Sequence, residues 1–149
     1  MRFTKDITFL AMAKTLALRT TCVRRGVGCI VVNARGHILS TGYNGTAAGL
    51  PHCNEGHCCQ GYDLPPGQDN CEAIHAEMNA VLQCHDVQAI DTIYVTLSPC
   101  IRCTKMLLNT SCTRIVFGDN HMGQTGQELW ERAGRIWLQY KDYNDVKRS

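Results

Sequence analysis

At 149 residues, with 44% hydrophobic and 19% charged side chains, the chain suits one domain around one core and is too apolar to stay disordered over most of its length. A net charge of +2, with Arg24-Arg25 as its longest basic cluster and Lys147-Arg148 at the tail, argues against a dedicated nucleic-acid binder. No run is long and apolar enough to span a bilayer, and residues 1–6 lead into no signal-peptide core, so the ten cysteines are expected to be reduced and available to metal.

Residues 4–19 put Phe9, Leu10, Met12, Ala13, Leu16 and Ala17 on one helical stripe, with Thr4 as its cap and Asp6 in its first turn. Residues 27–32 read as a buried strand, 33–36 as a turn, and 37–43 as the returning strand of an antiparallel hairpin. Residues 44–71 hold Gly, Pro, Asn, Cys and His without apolar period. A loop that long inside a compact domain is functional or cross-linked, and Cys53, Cys58, Cys59 and Cys71 point to cross-linking. A second helix is expected from Glu72 onward through Ile74, Met78, Val81 and Leu82, then a third strand over 92–97. Pro99, favoured at a helix's first position, opens a third helix to about Asn109. A strand over 114–118, a short helix over 127–133 stopped by Gly134, and a strand over 135–140 complete the order. Such alternation predicts α/β layering in a single domain over 1–149, with a Cys-rich insert at about 49–71. Cys29 and Cys112, in apolar surroundings, read as buried structural thiols.

Two short motifs carry chemistry, His75-Ala76-Glu77 and Pro99-Cys100-Ile101-Arg102-Cys103, each at an expected helix start. Cys100 and Cys103 stand three apart and so share a helix face. The positive end of the helix favours their thiolates, the form that binds zinc. His75 supplies a third ligand, and three ligands leave the fourth tetrahedral position to water, as in catalytic rather than structural zinc sites. Zinc brings the pKa of such a water toward about 7. Glu77 points to a different side of its helix from His75. It is therefore poorly placed as a ligand and well placed to carry protons between water and leaving group. His-x-Glu followed by Pro-Cys-x-x-Cys is the general signature of zinc-dependent base deaminases.

The chain resembles the cytidine and deoxycytidylate deaminase superfamily, and its deoxycytidylate deaminases most, from about residue 4 to residue 140. The match is carried by the zinc motifs, by His75-Ala76-Glu77-Met78-Asn79-Ala80, by Tyr94-Val95-Thr96-Leu97-Ser98-Pro99-Cys100 and by Gly42-Tyr43-Asn44-Gly45-Thr46. The resemblance implies a five-stranded mixed β-sheet sandwiched by helices, hydrolysis of deoxycytidylate (dCMP) to dUMP and ammonia, and a homohexamer. It implies that Gly42, Tyr43, Asn44 and Gly45 hold an allosteric nucleotide, dCTP activating and dTTP inhibiting, with Mg2+ accompanying the triphosphate. It places Asn44, Thr46 and Asn79 near the substrate. It further implies a second, structural zinc on Cys22, Cys53, Cys58 and Cys71, with His57 and Cys59 as rivals for two of those places. No basic residue matches a 5′-phosphate ligand clearly; Arg24 is the first choice, with Arg25 and Arg102 as alternatives. A cytoplasmic location follows, the host cytoplasm for a phage-encoded chain. The competing readings are a polynucleotide deaminase of the transfer-RNA adenosine type, which would want a basic groove, and a non-enzymatic zinc-stabilised interaction domain, which leaves Glu77 unexplained. Nucleoside and riboflavin-pathway deaminases remain rivals among the enzymes.

Overall fold

The computed structural model describes residues 2–22, 25–53, 72–121 and 125–141. Helix α1 (Lys5–Ala17) starts where expected, because the Thr4 hydroxyl accepts the Ile7 amide at 3.2 Å. Strands β1 (Gly28–Asn33) and β2 (Ile38–Tyr43) form the expected antiparallel hairpin. A two-residue ladder follows, β3 (Gly45–Thr46) against β4 (Ala73–Ile74). Then come α2 (Ala76–Gln83), β5 (Ile90–Leu97), α3 (Ile101–Leu108), β6 (Arg114–Asp119), α4 (Gln127–Arg132) and β7 (Ile136–Gln139).

The main sheet runs β2-β1-β5-β6-β7, antiparallel between β2, β1 and β5 and parallel from β5 through β7, so it is five-stranded and mixed. Its central strands are apolar on both faces. Cys29, Val31, Ile93, Val95, Ile115 and Phe117 face one layer, packed with Ala76, Ala80, Leu107 and Trp130 of α2, α3 and α4. Ile30, Val32, Tyr94 and Val116 face the other, covered by Leu10 and Ala13 of α1. Each fully buried Leu, Ile or Phe of these layers contributes about 1.5–3 kcal/mol. Polar bonds fix α1 in register: Asp6 accepts from the Tyr94 hydroxyl at 2.7 Å and from Arg114 at 3.1 Å. Burial of Tyr94 and this bond to Asp6 push its phenol above its ordinary pKa.

Strand β3 falls inside the stretch expected as loop, β5 starts at Ile90 rather than at 92, and two helix starts differ from expectation. Helix α2 begins at Ala76 rather than at Glu72, because Ala73 and Ile74 are drawn into pairing with Thr46 and Gly45. Pro99 is not the first helical residue of α3. Cys100, extended at φ −67° and ψ 167°, takes the cap position and bridges Thr125, while the Pro99 carbonyl accepts the Gly126 amide at 3.4 Å. At its far end α3 is closed by Arg135. The guanidinium donates to the carbonyls of Cys112 (2.8 Å) and Leu108 (2.9 Å), with longer approaches to Thr110 and Leu107, and lies 5.1 Å from the Trp130 ring centre. Cys29 and Cys112 are buried free thiols, and burial pushes the Cys112 thiol up to about 12.

Candidate functional site

The two motifs meet. His75 is the cap of α2 and Cys100 the cap of α3, and neither helix start is closed by a side-chain hydrogen bond from its cap residue. Those side chains turn instead toward each other. His75 Nδ1 lies 3.6 Å from Cys100 Sγ and 3.3 Å from Cys103 Sγ, and the donor atoms of all three fall within 4.8 Å of one another. A tetrahedral ion at ordinary Zn–N and Zn–S lengths requires N···S separations of about 3.6 Å. The observed spacing fits one zinc ion, and an imidazole with two thiols is a donor set that suits zinc. No other such cluster of donors occurs among the described residues.

The electrostatics favour the thiolate at Cys100. A hydrogen bond from Cys103, helped by His75 and opposed by burial, holds the Cys100 thiol down at about 3. The Cys103 thiol is pushed up by the same hydrogen bond to Cys100 and by burial. The hydrogen bond with Cys100 raises the proton affinity of His75 against the opposing effect of burial. Glu77, in the first turn of α2, is only 4% exposed, and burial pushes its carboxyl up from the usual range. It lies outside the three-donor cluster.

His75, Glu77 and Cys100 floor a pocket walled by Cys22, Arg25, Val27, Asn44, Ala73, Leu97, Ser98 and His121, while Cys103 is fully buried behind them and is not part of the lining. Ser98 and His121 were not singled out in the sequence. They arrive because β5 and β6 are parallel and end side by side, and the Ser98 hydroxyl accepts the His121 amide at 2.7 Å. The carboxyl ends of parallel strands are a recurrent position for sites, which was the available signal. Arg25 is the one arginine or lysine among the described residues of this lining, and its guanidinium pairs with Asp119 at 2.9 Å.

The remaining expected residues are distributed as follows. Asn44 lines the pocket, but its amide bonds to the Val27 amide, the Thr20 hydroxyl and the Arg25 carbonyl. Asn79 and Thr46 do not line it. Asn79 donates to the Tyr43 carbonyl at 2.8 Å, and the buried Thr46 hydroxyl has no hydrogen-bond partner among the described residues. Gly42 is buried beneath α2, and Gly45 abuts Thr21. Arg102 is exposed on α3 and is not part of the wall, although its charge opposes protonation of His75. Cys22 is on the wall and Cys53 is buried. Arg24, His57, Cys58, Cys59 and Cys71 lie outside the described residues.

Comparison with known proteins agrees with this geometry. The family model "Cytidine and deoxycytidylate deaminase zinc-binding region" matches residues 3–119. The chain is 36% identical over 119 residues to the deoxycytidylate deaminase of Mycobacterium phage D29, covering 75% of this chain and 92% of that protein. It is 37% identical over 132 residues to ComE operon protein 2 of Bacillus subtilis, covering 85% of this chain. It spans 66% of the length of that Bacillus protein, and 44% of the length of the yeast deoxycytidylate deaminases that it also matches. The crystal structure of dCMP deaminase from cyanophage S-TIM5 with dCMP and dUMP superposes at a TM-score of 0.75, with 25% identity, covering 94% of this chain and 99% of that one.

Proposed function

The chain belongs to the cytidine and deoxycytidylate deaminase family, and from that premise we propose that it hydrolyses dCMP to dUMP and ammonia. The observation that carries the reading is the convergence of His75, Cys100 and Cys103 at zinc-binding separations, with His75, Cys100 and the buried Glu77 lining one pocket. His75, Cys100 and Cys103 hold the zinc, which when bound supplies a water acidic enough to react near neutral pH. Glu77 takes a proton from the attacking water and delivers it to N3 of the cytosine ring as oxygen bonds to C4. It then takes the remaining proton from the new C4 hydroxyl and passes it to the exocyclic nitrogen, the C4–N bond breaks to release ammonia, and the C4 oxygen becomes the uracil carbonyl. A carboxyl whose pKa burial has raised is suited to such two-way transfer. Val27, Leu97 and Ala73 give the wall apolar surface against which a base can lie. Arg25, which lines the pocket, is the partner this reading assigns to the 5′-phosphate; Arg24 lies outside the described residues.

The finer features implied by resemblance belong to the same proposal: a second zinc on Cys22, Cys53, Cys58 and Cys71, control by dCTP with Mg2+ and by dTTP through residues 42–45, a homohexamer, and a cytoplasmic location. Among the described residues no helix is long and apolar enough to cross a membrane. The deciding experiment assays purified zinc-loaded protein on dCMP, CMP, deoxycytidine and an RNA hairpin, with and without dCTP and Mg2+. Stoichiometric dUMP and ammonia, fastest from dCMP, are expected. Turnover of the hairpin without turnover of dCMP would replace this reading with a polynucleotide deaminase.

A further inference from the structure

We infer that Asn44 is a positioning residue for Arg25: its amide fixes the backbone that carries the guanidinium at the pocket mouth, and its contribution to dCMP turnover passes through that guanidinium. The inference rests on the proposed role of Arg25 at the 5′-phosphate.

Asn44 is only 9% exposed, and its amide orientation is unambiguous. Nδ2 donates to the Arg25 carbonyl at 2.7 Å, while Oδ1 accepts from the Val27 amide at 2.8 Å and from the Thr20 hydroxyl at 2.7 Å. A flipped amide would set donor against donor and acceptor against acceptor. The Thr20 hydroxyl also lies 2.9 Å from the Asn44 backbone carbonyl, so its one hydrogen is divided between that oxygen and Oδ1; with the Val27 and Arg25 bonds, this ties the side chain to the stretch that leads into β1 and leaves a single N–H for anything else. The Thr20 hydroxyl also accepts the Cys22 amide at 3.0 Å, and the Asn44 amide donates to the Val27 carbonyl at 3.1 Å. Thr20, Cys22, Arg25 and Val27 lie outside any helix or strand. These side-chain bonds therefore stand in for the ladder that would otherwise order them. Beyond the backbone, the Arg25 guanidinium is held at its far end by Asp119.

The anchor itself is referenced to the catalytic helix. Asn79 of α2 donates to the carbonyl of Tyr43, the residue before Asn44. An unbroken chain of bonds thus runs from the helix that bears Glu77, through Asn79, Tyr43 and Asn44, to Arg25. It sets the distance between the proton carrier and the group that grips the phosphate. Positioning errors on this scale cost rate without removing any contact to the reacting atoms.

A double-mutant cycle on kcat/KM for dCMP tests this, with Arg25→Ala, Asn44→Ala and the pair, zinc content being verified in each. Arg25→Ala is expected to lose roughly 10- to 100-fold, mostly in KM. Asn44→Ala is expected to lose on the order of tenfold, again in KM. If Asn44 acts through Arg25, the double variant falls little below Arg25→Ala alone. Thr20→Val, which withdraws one of the bonds to Asn44, should show the same non-additivity with a smaller loss, and it carries the test should Asn44→Ala not fold. Multiplicative losses in both cycles would show that Asn44 touches the substrate itself and would overturn the inference. Unchanged dCMP kinetics in Arg25→Ala would instead remove the phosphate role on which the inference rests.

Discussion

Gly42 offers the sharpest test of how the fold serves the site. A methyl group at this position of β2 would meet the Ala76 carbonyl oxygen and lie 2.6 Å from the Ala80 nitrogen and 3.1 Å from its Cα, all backbone atoms of α2. Ordinary contact needs about 3.4 Å, and the nearest approach, to the Ala76 carbonyl oxygen, sets the displacement, so Gly42→Ala must push the helix away by about 1 Å. That helix carries His75 and Glu77, whereas Cys100 and Cys103 belong to α3 and stay in place. A displacement near 1 Å costs on the order of 100-fold in rate. Overpacking of this kind costs about 1–3 kcal/mol, or roughly 2–12 °C of melting temperature for a domain of this size. We therefore expect Gly42→Ala to lose on the order of 100-fold in dCMP turnover without effector, to bind zinc more weakly, and to melt earlier. Steady-state kinetics, metal analysis and calorimetry at fixed zinc provide the readouts. Gly49→Ala is the control: it introduces strain at a φ of +87° but meets nothing within 4 Å, so turnover should hold. Wild-type turnover and melting in Gly42→Ala would refute the close packing of α2 on β2. Basal turnover intact with only the dCTP response lost would show that Gly42 matters through an effector alone.

Glu77→Gln keeps the shape of the buried side chain and removes its ability to carry protons. Turnover of dCMP should fall by about 100- to 10,000-fold with zinc stoichiometry unchanged, because Glu77 is outside the donor cluster. An active variant, or one that has lost its metal, would contradict the assigned role. Arg135→Met retains the apolar stem but withdraws two short charged hydrogen bonds, one from Leu108 at the end of α3 and one from Cys112 in the turn that follows. A loss of about 2–3 kcal/mol, seen as a drop of roughly 4–10 °C in calorimetry, is expected. Arg135→Lys should recover less than half of that loss, since an ammonium cannot fork between the carbonyls. Full recovery by lysine would show that charge near the helix end suffices.

What the sequence disclosed, and what it hid, follows from how far apart cooperating residues lie. His75-x-Glu77 and Cys100-x-x-Cys103 are each local patterns, and their chemistry could be read before any fold was known. The strands were equally legible because β1, β5 and β6 are apolar on both faces and end in recognisable turns. The start of α2 was misplaced because Ala73 and Ile74 obey their partners across the β3–β4 ladder rather than their own helical pattern. Pro99 misled for a related reason: the bridge from Cys100 to Thr125 holds the cap residue extended. Ser98 and His121 carry no local signal and become neighbours only through the parallel pairing of β5 and β6. The task of Asn44 was hidden likewise, because its partners sit 17 to 24 positions earlier in the chain.

The short β3–β4 ladder carries a consequence for how such enzymes can vary. Gly45 pairs with Ile74 and Thr46 with Ala73, and the Ala47 amide reaches the Glu72 carbonyl at 3.2 Å. The stretch from 48 to 71 therefore leaves and re-enters through a clasped neck. Asn44 and His75 stand immediately outside the ladder, one residue beyond Gly45 and one beyond Ile74. Doubling the number of residues beyond the clasp adds only about 0.6 kcal/mol of closure entropy. Insertions between the two strands are therefore expected to cost little, so long as the ladder and the cysteines proposed to share a zinc with Cys22 are kept.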